Sequence, residues 1–311
     1  MDFFITFQSV SVLFLLIIMG YIVGKVNIIS ESGQKELTSL LLNVTLPVTI
    51  ILALQMEFSK ERFNISLKII LAFVLSYLLM IILSKVIGKL FNVPNNQRDI
   101  IEAATILPNT AFMGYPIILA VLGPDSLFYA VIGAGLTFEM VSWTYGVYVI
   151  SKNTEFDFRK DIVKNIFLSP GILAVAIGFI LFVMSIKIPE PIYTSMNLVS
   201  GITSPLAMLI VGILLSRSNV KESLVNKRLY MVALIRLIVF PVLIYLLLTV
   251  LGFKGMELII PVIMLSMPTA ANLAMFSEKV NNDTNLASQI VFISSLLSLI
   301  TIPVIVWLVI K

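Results

Sequence analysis

The sequence predicts an all-α polytopic membrane protein with ten transmembrane helices in two inverted five-helix repeats, the fourth and ninth helices being broken and crossing each other. Three observations lead to this prediction. The 311 residues are 59% hydrophobic and 12% charged, with a mean hydropathy of +1.05. The apolar residues form ten long runs, and two pairs of prolines recur at nearly the same spacing. Ten helices of roughly 20 residues leave only about 110 positions for connections, so no large soluble domain fits.

The ten apolar runs are separated by charged connections or by connections that contain proline and glycine. They cover residues 3–23, 37–54, 66–90, 100–122, 126–150, 166–186, 193–215, 229–251, 256–276 and 286–310. The first run is interpreted as a retained helix because no basic region precedes it and no small-residue cleavage pattern follows it.

The basic residues predict the orientation of these helices. With the N-terminus outside, fourteen of the 21 Lys and Arg residues fall in inward loops, six fall in outward segments, and Arg236 lies inside a run. The positive-inside rule therefore places both termini outside the cell membrane. The charged connection 151–165 is then cytoplasmic, and it separates a first repeat, 1–150, from a second, 166–311. Five helices per repeat place the repeats in opposite orientations.

Matched prolines indicate that the two halves are repeats. Pro47 in the second run and Pro205 in the seventh are 158 residues apart, and Pro108 in the fourth run and Pro268 in the ninth are 160 apart. Similar spacings of this kind are typical of an internal duplication. The sequence alone also allows the prolines to be simple kinks in packed helices.

The fourth run is expected to break, because Pro108, Gly114 and Pro116 fall within nine residues. Proline removes a backbone donor and frees polar groups that hydrocarbon cannot satisfy. With Pro268 at the corresponding place in the ninth run, two broken helices are predicted near the bilayer midplane. The N-termini of such half-helices present N–H groups and positive dipole ends to an anion.

Several classes of function are excluded by composition. The chain contains no Cys and no His, so thiolate and imidazole metal sites and Ser-His or Cys-His nucleophile pairs are excluded. We therefore expect no metal and no organic cofactor. The net charge of +4 comes from basic residues in short loops, which indicates membrane topology and not a nucleic-acid partner. The expected partners are the lipid bilayer and a small solute.

Residues 109–116, with the sequence NTAFMGYP, resemble the Asn-Thr-x-x-x-Gly-x-Pro signature of the auxin efflux carrier family. That family includes plant auxin exporters and bacterial carboxylate permeases, and this chain is similar to its bacterial-type members. The stretches 46–47, 205–212 and 267–272 resemble further parts of the family in the same order and spacing. The likeness covers nearly the whole chain.

The resemblance implies a scaffold domain, a transport domain and elevator-like alternating access for organic anions. It also implies homodimers. Plant members carry a long hydrophilic loop between the halves, where this chain has only residues 151–165. In the fifth run the plant pattern Gln-x-x-x-Trp-Tyr is replaced by Glu139, Trp143 and Thr144, so a carboxylate stands where the plant proteins have an amide.

Glu139 is the only carboxylate deep within an apolar run. A charge at the bilayer centre costs about 2.5–3.5 kcal/mol on insertion scales, so this residue calls for a partner, a cavity or a proton. It is the candidate coupling residue, neutral as a carrier of H⁺ or ionised as a ligand of Na⁺. A hydrogen bond between helices is the structural alternative.

Six further residues are candidates for binding the substrate, because they lie near the prolines or on the face of Glu139. They are Asn109, Asn272, Thr49, Trp143, Ser204 and Met208. Capping of the freed backbone is the alternative role of the two asparagines, and a bond within its own helix is that of Thr49. Arg236 is expected to extend to the membrane interface, with a countercharge for the substrate or Glu139 as the alternative.

The sequence thus favours a secondary transporter for a small organic anion, a carboxylate, with a site at the fourth and ninth helices. A sodium/proton antiporter of related architecture is an alternative, although no aspartate lies in the middle of a run. A ligand sensor with a transporter fold is another, although no signalling domain is attached. An intramembrane enzyme lacks support, since neither Gly-x-Ser-Gly nor Gly-x-Gly-Asp occurs.

Overall fold

The computed structural model describes residues 3–90, 93–154, 169–217 and 220–311. In these ranges the regular structure is helical, with one isolated bridge between two loops. The thirteen described helices are α1 (Phe3–Lys25), α2 (Glu31–Ala53), α3 (Lys60–Leu90), α4 (Asn95–Ile106), α5 (Thr110–Leu122), α6 (Pro124–Ser151), α7 (Pro170–Val183), α8 (Glu190–Ser216), α9 (Val220–Val225), α10 (Lys227–Val250), α11 (Met256–Leu265), α12 (Asn272–Lys279) and α13 (Thr284–Ile310).

Six helices in the described part of the chain are long and apolar enough to cross a membrane, namely α2, α3, α6, α8, α10 and α13. Four shorter apolar helices lie in α1, α5, α7 and α11. Each of these ten elements overlaps one predicted run, and the fourth and ninth runs each overlap a second helix, α4 and α12. The chain is a helical membrane protein. The predicted cytoplasmic linker lies mostly in residues 155–168, outside the described residues.

Three of the prolines inside helices follow a π-helical turn. Five-residue π-helical turns, Leu41–Thr45 in α2, Thr110–Gly114 in α5 and Ile235–Val239 in α10, each end two residues before a proline. Such turns re-pair backbone groups that a proline would leave free in hydrocarbon. Pro116 and Gly114 therefore lie inside α5, and the prediction that they belong to the break is wrong.

Glycines bring pairs of helices into backbone contact. A Cβ on Gly20 of α1 would lie 2.2 Å from the carbonyl oxygen of Leu209 in α8, and one on Gly212 would lie 2.0 Å from a backbone oxygen of α1. In the same way a Cβ on Gly178 of α7 would lie 3.3 Å from the Cα of Ile51 in α2. Because helices in lipid associate through close packing of small residues, α1 is held against α8 and α2 against α7.

Candidate functional site

The interruption between α4 and α5 meets the one between α11 and α12. Pro108 and Thr269 form an isolated antiparallel bridge. The N–H of Asn109 donates to the carbonyl of Pro268 at 2.8 Å, and the N–H of Ala270 donates to the carbonyl of Leu107 at 2.9 Å. Backbone groups that the two prolines would otherwise leave unpaired in the membrane thus satisfy each other.

The carbonyls at the C-terminal end of α4 are bonded by side chains from other helices and loops. The hydroxyl of Thr269 donates to Ala104 at 3.0 Å, and Nη1 of Arg236 donates to Thr105 at 3.4 Å. The N–H of Thr269 in turn donates to the hydroxyl of Ser294 at 3.2 Å. The interruption is therefore held by α10, α13 and the loop before α12.

Two helices begin at this point, α5 and α12, and each carries an asparagine at its start. Asn109 immediately precedes α5 and is 3% exposed, whereas Asn272 is the first residue of α12 and is half-buried. Neither side chain caps its helix, and neither side chain makes a hydrogen bond to another described residue. The capping role that the sequence left open is thus not the arrangement found.

Glu139 lies between α12 and the start of α7, connected to α12 through Trp143. The indole N–H of Trp143 donates to Oε2 of Glu139 at 3.1 Å. The other carboxylate oxygen lies 3.8 Å from the position of a Cβ on Gly171, in the first turn of α7. The Trp143 ring packs edge-on against Phe276 of α12, with centroids 4.9 Å apart, and the Nζ of Lys279 lies 5.8 Å from its centroid.

The predicted residues of α2 and α8 form a separate group. The hydroxyl of Thr49 bonds to the carbonyl of Thr45 at 2.9 Å, as expected for a threonine in a helix, and also to the hydroxyls of Ser200 at 3.0 Å and Thr203 at 2.8 Å. Ser204 follows Thr203 and is half-buried.

Met208, one turn further along α8, is fully buried. Since α8 also packs against the first turn of α5, this group borders the interruption without joining it.

Arg236 does not extend to the membrane interface, so that expectation is wrong. Its side chain is fully buried, because it turns toward the C-terminal end of α4 and donates to Thr105. Thr269, Ser294 and Thr203 were also not among the predicted residues. A polar residue within an apolar run is the only sequence signal that any of them gives.

The cavities with described linings lie toward the helix ends. One, of about 190 Å³, is lined by residues of α4, α9, α10, α13 and the neighbouring loops, which include Ile101, Val232, Gln289 and the carboxylates Glu222 and Asp283. Another, of about 320 Å³, is lined by residues that include Gln55 and Lys187. None of the predicted site residues lines either cavity. Among the described residues no group of three His, Cys, Asp or Glu could hold a metal ion.

Comparison with known proteins identifies the family. Residues 5–306 match the family model described as membrane transport protein. The chain is similar to an uncharacterized transporter of Methanocaldococcus jannaschii, with 26% identity over 98% of this chain and 99% of that protein. It is also similar to an uncharacterized transporter of Methanothermobacter thermautotrophicus, with 24% identity over 95% of this chain and 96% of that protein. The chain therefore belongs to the membrane transport protein family, the auxin efflux carrier family that its sequence resembles.

Proposed function

We propose that this membrane transporter is a secondary active carrier that moves a small organic anion, a carboxylate, across the plasma membrane. One observation carries the proposal: α5 and α12 begin close together in the interior, and Asn109 and Asn272 lie at the two helix starts. Neither helix start has a side-chain cap. The first-turn N–H groups of Thr110, Leu273 and Ala274 already bond to nearby carbonyls. The other first-turn N–H groups and the two amide side chains are donors suited to carboxylate oxygens.

The helix ends also favour an anion electrostatically. The N-termini of α5 and α12 carry partial positive charge, and the C-terminal ends of α4 and α11 carry partial negative charge. The negative end of α4 is already bonded by Thr269 and Arg236, and carbonyls at the end of α11 are bonded by Ser266 and Met267. The positive ends are thus the ones left for a solute, as in transporters with discontinuous helices.

Two inverted five-helix repeats, with ten crossings and both termini outside, are part of the proposal. The glycine contacts support them independently of the prolines. Gly178 lies 158 residues after Gly20, and Leu209 lies 158 residues after Ile51, so the contact of Gly20 with Leu209 has a counterpart in that of Gly178 with Ile51. Pro47 and Pro205 have the same spacing. A pair of contacts related in this way is expected from two repeats around a pseudo-two-fold axis.

We further propose elevator-type alternating access. The backbone contacts of α1 with α8 and of α2 with α7 support a rigid scaffold made of these four helices. The helices that carry the interruptions would then form the moving body. The homodimer implied by the family resemblance would bring two scaffolds together. The first part of α8, Glu190–Gly201, buries none of its residues within one chain, which leaves it available for such a contact.

Coupling is assigned to Glu139, with H⁺ and Na⁺ as alternatives. The carboxylate bonds to Trp143 and lies next to the first turn of α7, so it is placed between the two groups of helices. A sodium/proton antiporter and a ligand sensor remain the alternative functions.

Uptake of radiolabelled carboxylates into proteoliposomes tests the proposal. Purified protein is reconstituted, and acetate, lactate, malate, 2-oxoglutarate and indole-3-acetate are offered with and without imposed proton and sodium gradients. Accumulation of at least one carboxylate above protein-free liposomes is expected. Exchange of Na⁺ for H⁺ without carboxylate movement would indicate the antiporter. Binding without movement of any solute would indicate the sensor.

A further inference from the structure

Arg236 is a buried charge whose donors are only partly used. It lies in the π-helical turn of α10, is fully buried, and donates through Nη1 to the carbonyl of Thr105 at 3.4 Å. Its Nε and Nη2 have no hydrogen-bond partner, and none of the ion pairs in the described part of the chain includes it. One long hydrogen bond leaves most of its charge uncompensated.

A guanidinium in a membrane interior requires a partner of opposite charge or water. The C-terminal end of α4 supplies the equivalent of about half a negative charge at most. The Nε and Nη2 atoms form one edge of the planar guanidinium, and this edge binds a carboxylate through two parallel hydrogen bonds. The unused edge of Arg236 therefore has the geometry that a carboxylate requires.

A second unused donor belongs to a neighbour of Arg236. Tyr77 of α3 interacts electrostatically with the guanidinium. Tyr77 is 2% exposed, and its buried hydroxyl has no hydrogen-bond partner among the described residues. Buried hydroxyls are normally bonded, so the unbonded Tyr77 hydroxyl is a second donor that a ligand of Arg236 could use.

The position of Arg236 connects it with both the interruption and a cavity. Thr105, its bonding partner, lies three residues before Pro108. Ile101 and Val232 lie one turn before Thr105 and Arg236 on the same helices, and both line the cavity of about 190 Å³. Gln289 lines the same cavity, is 4% exposed, and has an unbonded Nε2. The cavity is thus lined by residues one turn along α4 and α10 from Thr105 and Arg236.

We propose that the Nε and Nη2 edge of Arg236, together with the Tyr77 hydroxyl, binds a carboxylate group of the transported anion, which reaches it through the cavity between α4, α10 and α13. This inference rests on the proposed function and adds a specificity-determining residue to it. Arg236 would select anions over cations by placing a fixed positive charge at the C-terminal end of α4, where the helix dipole would otherwise favour a cation.

Direct binding to wild-type and Arg236→Lys protein tests the inference. Titration calorimetry on purified protein uses the carboxylates of the uptake assay. Lysine keeps the charge and can still donate to Thr105, but it cannot form the bidentate pair of hydrogen bonds. Carboxylate affinity should therefore fall about 10- to 100-fold, and the unfolding temperature should stay nearly unchanged. Arg217→Lys is the matched control, because Arg217 is exposed and also donates to a backbone carbonyl, that of Ile29 at 2.9 Å. It should bind as wild type does.

Unchanged carboxylate affinity in folded Arg236→Lys would overturn the inference and leave the proposed function standing. If that variant does not fold, Tyr77→Phe decides, because it removes a hydroxyl that makes no bond in the protein. It should lower affinity about 3- to 10-fold, and an unchanged affinity would overturn the inference. If wild-type protein neither binds nor transports any of these carboxylates, the proposed function itself fails.

Discussion

Trp143 donates its indole N–H to the carboxylate of Glu139 at 3.1 Å, one helical turn apart on α6. The same ring contacts Phe276, which is four residues after Asn272 on α12. The residue proposed for coupling and one residue proposed for substrate binding are thus connected through a single aromatic side chain. A change in the charge of Glu139 would alter its hydrogen bond to Trp143, and a shift of the Trp143 ring would alter its contact with α12.

Glu139→Gln should remove the coupling response while keeping the bond to Trp143, because the amide oxygen can accept from the indole. If Glu139 carries a proton, the variant should lose the pH dependence of carboxylate uptake; if it binds sodium, the variant should lose sodium stimulation. Uptake across a pH series, with and without Na⁺, separates the two. Glu257→Gln, at an ion pair of 2.8 Å with Lys68, is the control and should keep both responses. A wild-type pH profile and sodium response in Glu139→Gln would make Glu139 a structural residue.

Asn109→Ala and Asn272→Ala should each lower carboxylate affinity about 10- to 100-fold, since each removes a donor to a charged group. Folding should be nearly unaffected, because neither side chain bonds to another described residue. Calorimetry and thermal unfolding on the same samples measure the two effects. Asn197→Ala, at an exposed position of α8, serves as the control. Wild-type affinity in both variants would remove the asparagines from the site.

Gly20→Ala should destabilise the protein by about 1–3 kcal/mol, because the new methyl would meet the Leu209 carbonyl oxygen, at 2.2 Å, and the backbone there cannot move aside freely. Gly178→Ala should behave similarly through Leu54, which would lie 2.7 Å from the new Cβ. Thermal unfolding in detergent measures both. Gly201→Ala has nothing within 4 Å and should be nearly neutral. Equal melting temperatures for all three variants would contradict close packing of these helix pairs.

Single cysteines test the proposed orientation directly, since the chain has none of its own. Lys152 and Lys311 are both exposed. In intact cells Lys311→Cys should react with a membrane-impermeant maleimide, whereas Lys152→Cys should react only after permeabilisation. The opposite pattern would mean that the protein is inserted the other way, and reaction of both in intact cells would refute the odd number of crossings between them.

The apolar runs could be located from sequence because a helix in lipid needs a nearly continuous apolar stretch of about 20 residues. The interruption at Pro108 and Pro268 could also be predicted, since proline acts on its own helix. The π-helical turns could not, because they depend on how each helix relieves the strain of its proline. Pro116 accordingly lies in a continuous helix.

The partners of polar side chains were the least predictable part of the site. Arg236 and Thr105 are 131 residues apart, and Thr49 and Thr203 are 154 apart. Whether a polar residue in an apolar run bonds to its own helix, to another helix or to a solute depends on which helices are neighbours. Hydropathy contains no information on that choice, so Thr269 and Ser294 gave no distinguishing signal.

The bridge between Pro108 and Thr269 has a consequence for the energetics of transport. Two backbone hydrogen bonds join the interruption between α4 and α5 to the one between α11 and α12. Neither pair of helices can straighten or slide past the other without breaking both bonds. A movement that displaces one interruption must carry the other, and the spacing of the donors at the two helix starts is preserved. An anion held there would meet the same donors on either side of the bilayer. The direction of net flow would then follow the solute gradients, and a difference in affinity between the two faces would not be needed.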